Sequence, residues 1–268
     1  LVARSAPDVE LGGRLSAFAK CEVTGGSIQP EVTIQLTAVV DKFVLAGGAL
    51  HGDRLALERI EAGGRASWRG RLVEIERFRV QTELGSALVT GGFNLPDDSL
   101  STLLKSLAEQ TYRIEAGVNL AALAAQLPNT LRLQEGMRIE SGDAAIILES
   151  RRTGDSMRWD GQADVSRLSA QREGRQIRWP EPIRANLSAS KNSQGLSIER
   201  LECRAKHLQL SASGTPERID GSLDVDLAGL ADEAEQLIDL GGLRLAGTGR
   251  GRFQWRRQSQ QDYAADGD

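Results

Sequence analysis

Apolar and polar residues alternate one by one along much of this chain, and that alternation narrows its possible folds more than any other feature. Tyr112, Ile114, Ala116, Val118 and Leu120 are interleaved with Arg113, Glu115, Gly117 and Asn119. Met157, Trp159, Gly161, Ala163 and Val165 alternate in the same way with Arg158, Asp160, Gln162 and Asp164. The pattern returns at Ile183, Ala185, Leu187 and Ala189, at Ile219, Gly221, Leu223 and Val225, and in a Gly-rich run from Leu243 and Leu245 to Phe253 and Trp255. A period of two gives extended chain one apolar and one polar face, as a half-buried strand requires. Turn-forming stretches such as Thr153-Gly154-Asp155 and Lys191-Asn192-Ser193-Gln194-Gly195 separate the runs. Strands joined by turns this short pair antiparallel, because a parallel crossover needs a dozen or more residues. The expected fold is therefore mostly β: an antiparallel, strongly twisted or curved repetitive sheet, groove-like, with two or three short helices.

The helices are the places where the period changes. Residues 98–110 put Leu100, Leu103, Leu104 and Leu107 on one helical face, with Asp97, Asp98 and Ser99 as N-cap candidates after Pro96. Residues 119–126 and 226–239 read as two further short helices, the last ended by Gly241-Gly242. Residues 257–268 read as a polar tail.

Internal repetition is the second constraint. Leu57-Glu58-Arg59-Ile60, Ile75-Glu76-Arg77-Phe78 and Ile198-Glu199-Arg200-Leu201 are versions of one tetrapeptide. The last two stay in step without a gap through Gly91 and Gly214. Two charged residues between apolar ones predict a strand, a solvent-facing kink and a strand that resumes with its faces reset. Val118-Asn119-Leu120-Ala121-Ala122-Leu123 is echoed by Val225-Asp226-Leu227-Ala228-Gly229-Leu230, a strand running straight into a helix. These echoes define repeats at about 73–136 and 196–256 within one repetitive segment, residues 1–256.

Composition bounds the chemistry. A net charge of −4 over 268 residues gives no general attraction to nucleic acid, and no nucleic-acid partner is expected. Cys21 and Cys203 cannot form a zinc site without other ligands, and His51 and His207 are the only histidines, both in strand-like settings where no nucleophilic triad is expected. The two cysteines fit either a long-range disulfide or two small buried hydrophobes. Gly247-Thr248-Gly249-Arg250-Gly251 is followed by a strand pattern and not by the helix a phosphate loop needs, so its glycines serve the sheet. Asp232, Glu233, Glu235 and Asp239 spread around a helix as a solvated face. His207 reads as a surface strand residue. No catalytic residue, metal site or cofactor is expected. No apolar run approaches the ~20 residues of a bilayer helix. The start at Leu1-Val2-Ala3, with neither methionine nor signal pattern, reads as a piece of a longer protein.

Residues 73–95 and 196–227 carry the order strand, two polar residues, strand, Gly-containing strand. Residues 120–136 and 227–242 carry a short Ala/Leu helix followed by a Leu-rich strand ending in Gly. In these features the chain resembles the AsmA-like and TamB-like superfamily of Gram-negative envelope proteins. The resemblance implies a curved sheet with a continuously apolar concave face. It also implies a periplasmic location, with an inner-membrane anchor in a missing N-terminal region, and non-enzymatic carriage of phospholipids towards the outer membrane. Phospholipid acyl chains would be the partner, since lipid tails need apolar area and no directional bonds. The candidate groove residues are Tyr112, Ile114, Val118, Met157, Trp159, Val165, Ile183, Leu187, Leu223, Val225, Leu243 and Leu245. Alternation alone also fits a sandwich with a closed core, and hence a structural or protein-interaction module of a large envelope or surface protein.

Overall fold

The computed structural model describes residues 9–25, 30–94, 110–236, 246–257 and 263–267. They form two compact units, residues 1–131 and 132–268. Unit one holds β1 (Val9–Thr24), β2 (Glu31–Gly47), a 3-10 turn (Gly48–Leu50), β3 (Arg54–Arg69), β4 (Leu72–Thr82), β5 (Gly85–Asn94), β6 (Thr111–Asn119) and the helix α1 (Leu120–Gln126). Each of its strands pairs antiparallel with the next in sequence. Unit two holds β7 (Met137–Thr153), β8 (Ser156–Arg172), β9 (Arg175–Arg178), β10 (Ile183–Asn192), β11 (Gly195–Ala205), β12 (Leu208–Thr215), β13 (Arg218–Asp226), the helix α2 (Leu227–Glu235), β14 (Thr248–Arg257) and β15 (Tyr263–Gly267). Its strands also follow sequence order, except that β9 pairs only with β8 and β10 takes the next place in the sheet. Among the described residues the fold is mostly β and antiparallel, in curved sheets that do not close, with two short helices.

Unit two repeats unit one strand by strand. Ile75 faces Gly91 and Phe78 faces Val89; Ile198 faces Gly214 and Leu201 faces Ala212, every position 123 further on. The earlier strands repeat as well: Ile34, Leu36 and Ala38 face Ala66, Gly64 and Ala62, as Trp159, Gly161 and Ala163 face Ala189, Leu187 and Ala185. Backbone oddities recur in place. Lys42 (φ 53°) and Arg167 (φ 54°) are left-handed inside β2 and β8, and Gly13 (φ 142°) and Gly142 (φ 154°) mark register shifts in β1 and β7. Asn119 N–H donates to the Leu84 carbonyl at 2.7 Å, and Asp226 N–H to the His207 carbonyl at 3.0 Å. A third copy begins at β14. Gly247 (φ 103°) precedes it, and Phe253 facing Gly267 with Trp255 facing Ala265 repeats Leu148 facing Gly161 with Ser150 facing Trp159.

The kink is a β-bulge. Between Ile75 and Phe78 two residues oppose the single Thr90, and between Ile198 and Leu201 two oppose Ser213. The extra residue turns the charged pair outward and returns the next apolar side chain to its former face. A Cβ on Gly91 (φ 140°) would overlap the Thr111 carbonyl oxygen, and one on Gly214 (φ 142°) that of Arg218. Glycine is the residue that lets the neighbouring strand pass this close to the bulge.

Several expectations need correction. Leu57-Glu58-Arg59-Ile60 pairs with β2 without a register shift, because left-handed Lys42 on the partner strand takes up the irregularity. The helix expected over 226–239 spans Leu227–Glu235, the Leu-rich strand expected between α1 and Gly136 is a run of turns, and the segment read as a polar tail contains β15. The helix expected over 98–110, the terminator Gly241-Gly242, and Leu243 and Leu245 lie outside the described residues, apart from Gln110.

Candidate functional site

Residues that face each other across antiparallel strands share a side of the sheet. In unit one, a row of such partners runs Ala19, Leu36, Gly64, Phe78, Val89, Ile114, and the next runs Ala17, Ala38, Ala62, Val80, Ala87, Ala116. A third row, from Cys21 through Ile34, Ala66, Ile75 and Gly91, ends at Tyr112, whose ring stacks on Phe93 at 6.4 Å and 7°. Burial on this face pushes the Tyr112 phenol pKa up. No charged residue interrupts these rows. Val118, opposite Gly85, continues the face towards α1.

In unit two the matching rows run Leu148, Gly161, Leu187, Leu201, Ala212, Gly221, Phe253 and Ile146, Ala163, Ala185, Cys203, Leu210, Leu223, Gly251. Trp159 and Ala189 face each other one row to one side; Val165 with Ile183, and Val225 with Leu208, lie one row to the other. Met157 stands beyond Trp159 and opposite Lys191 and Arg152, where the apolar face gives way to charge. Ten of the twelve candidate residues therefore sit on the apolar faces of their own units, three in unit one and seven in unit two.

Among the described residues no second layer covers these faces. Ile183 is 45% exposed, Leu15 67% and Trp255 45%, while Ile114, Trp159, Leu187 and Leu223 are half-exposed. The buried members are mainly small or at the margins: Ala189, Ala212, Met157 and Val225. A sandwich interior would bury the central large side chains fully.

The opposite face is a lattice of charge. Arg184 pairs with Asp164 at 3.1 Å, Arg250 with Asp224 at 2.5 Å, and Arg158 with both Asp160 at 3.1 Å and Glu199 at 3.0 Å. Asp160 is the most strongly held of these acids. The Ser188 hydroxyl donates to it at 2.6 Å, and with Arg158 and Arg151 this brings its pKa down to about 2. Asp53, 6% exposed, accepts from Asn129 and Thr130 N–H at 3.2 and 2.6 Å; burial works against its charge, but these donors hold its pKa below the usual carboxylate range.

His207 is not a strand residue: it sits in the turn before β12, its Nδ1 3.2 Å from Asp226 and its Nε2 3.7 Å from Glu233. His51 is an exposed left-handed residue after the 3-10 turn. Both cysteines are free, Cys21 exposed and Cys203 half-buried, so neither a disulfide nor full burial holds. Among the described residues no cluster could hold a metal ion, and no helix is long and apolar enough to cross a membrane. The first-strand contributions to the apolar rows escaped sequence reading, because Val39 and Val44 blur the alternation of β2 and β3 contributes only Ala62, Gly64 and Ala66. No family model, curated protein or solved structure matches this chain.

Proposed function

We propose that this chain is a non-enzymatic lipid-handling segment of a bacterial envelope protein, related to the AsmA-like and TamB-like superfamily, that takes phospholipid acyl chains on the apolar faces of its sheets. The observation that carries the reading is the uncharged rows, whose large side chains stay partly exposed and which no second layer covers among the described residues. Each methylene moved from water onto such a surface contributes about 0.8 kcal/mol when fully buried. The periplasmic location and the inner-membrane anchor in a further segment rest on the sequence resemblance.

Photocrosslinkers placed at Ile114, Leu187 and Leu223 in cell envelopes should give lipid adducts, and crosslinkers at Asp164 and Asp224 on the other face should not. Leu223→Asp should abolish adduct formation from neighbouring positions and leave the strand signal of circular dichroism unchanged. A protein that unfolds on Leu223→Asp and gives no adducts would mean that the face is a closed core. A second reading, a protein-interaction module, draws on β1, where Leu11, Leu15, Phe18 and Val23 are all more than half exposed. It predicts protein adducts from β1 in place of lipid adducts from the rows.

A further inference from the structure

The helices α1 and α2 begin alike and end differently. The Asn119 side chain accepts from Ala122 N–H at 3.0 Å and the Asp226 side chain from Gly229 N–H at 2.9 Å, and one alanine of each helix, Ala124 and Ala231, is buried. Beyond that point α1 closes its site. The Gln126 amide donates to the Ala56 carbonyl at 2.6 Å and accepts from Ala56 N–H at 2.7 Å, and Leu57 and Leu127 are buried.

In unit two the place of Gln126 is taken by Glu233, which has no N–H to donate and turns instead to Lys206 at 3.1 Å. The place of Leu127 is taken by Ala234. The counterpart of Ala56 is Trp179, whose N–H donates to the Leu168 carbonyl at 3.0 Å and is therefore not open to a clamp from the helix; Pro180 and Pro182 follow it between β9 and β10. These three changes leave a cavity of 190 Å³ lined by Leu168, Trp179, Ile183, Ala205, Leu230 and Ala234, with Glu181, Glu233 and Lys206 among its remaining lining residues.

We propose that this cavity binds the end of a single alkyl chain whose head group is cationic. Its apolar walls favour methylenes over water, which needs polar partners. Its volume, equal to roughly six waters at about 30 Å³ each, suits one chain end and not a two-tailed lipid. Lys206 is neutralised by Glu233, whereas exposed Glu181 has no hydrogen bond or ion pair among the described residues. The remaining negative charge favours an ammonium head. The inference deepens the lipid-handling reading and rests on it only for the source of the chain.

The test uses the full chain labelled with 5-fluorotryptophan, titrated with dodecyltrimethylammonium below its micellar concentration and followed by 19F NMR. The Trp179 signal should shift saturably and the Trp68 signal should not move. Ala234→Leu restores the residue that unit one carries, so it should leave the other tryptophan signals in place and weaken the Trp179 response at least tenfold. Glu181→Gln should weaken it severalfold. No Trp179 response in the wild type, or an undiminished one in Ala234→Leu, would overturn the site; dodecanoate binding as tightly as the cation would overturn the head-group assignment. A Trp179 response without lipid adducts from Leu187 and Leu223 would count against the sheet-face reading alone.

Discussion

At the scale of single residues, charge on the polar face is best tested through Asp160. Its folded pKa near 2 lies below the ordinary 3.8, so its stabilising contribution is complete above about pH 4 and is lost as pH falls towards 2. Asp160→Asn should therefore be less stable than the wild type at pH 6, with the gap narrowing as pH falls from 4 to 2 in urea unfolding. A gap independent of pH would mean that the carboxylate is not what Ser188 and Arg158 hold. Gly214 is the other informative residue. Gly214→Ala places a side chain at positive φ against the Arg218 carbonyl and should destabilise by at least about 1 kcal/mol, read as a lowered urea midpoint. The same change at Gly117, where a Cβ meets nothing within 4 Å, should be far milder.

At the scale of elements, the bulge makes an unusual deletion tolerable. Glu199 is the extra residue against β10, where Ser188 faces Arg200 and Ala189 faces Ile198. Removing it leaves Ile198 and Leu201 on one face with a single residue between them, as a regular strand has. Removing Glu202, in a regular stretch, reverses the faces of every residue up to the turn. The first deletion should yield a folded protein with a modestly lowered melting temperature, the second an unfolded one; equal losses would argue against the bulge. This part of the architecture was legible in the sequence, because Glu-Arg breaks the alternation at both copies and the spacing to glycine is the same. The repeat of β1 to β3 was not legible. Pairs such as Ala62 and Ala185, or Gly64 and Leu187, keep only the requirement for an apolar or small residue, and such similarity emerges only from backbone register. The cavity beside α2 was hidden for a related reason: it arises from what Glu233 and Ala234 omit, and no positive motif marks it.

At the scale of the whole chain, circular dichroism should be dominated by strand, with helix limited to about a fifth of residues or less. Within each unit the strands are joined almost entirely to their sequence neighbours. Such pairings require only short loops to close, so little chain entropy opposes the first contacts and hairpins can form independently of one another. Cohesion is then the sum of nearest-neighbour terms, as in a solenoid, and among the described residues no central core locks all strands at once. Native-state hydrogen exchange should reveal a graded profile within each unit: slowest in the middle strands, faster towards the strand that has a neighbour on one side only. Such a sheet can lose and regain a terminal strand without surrendering the remainder, a reversible peeling that a sandwich of the same length, cemented through its interior, could not perform.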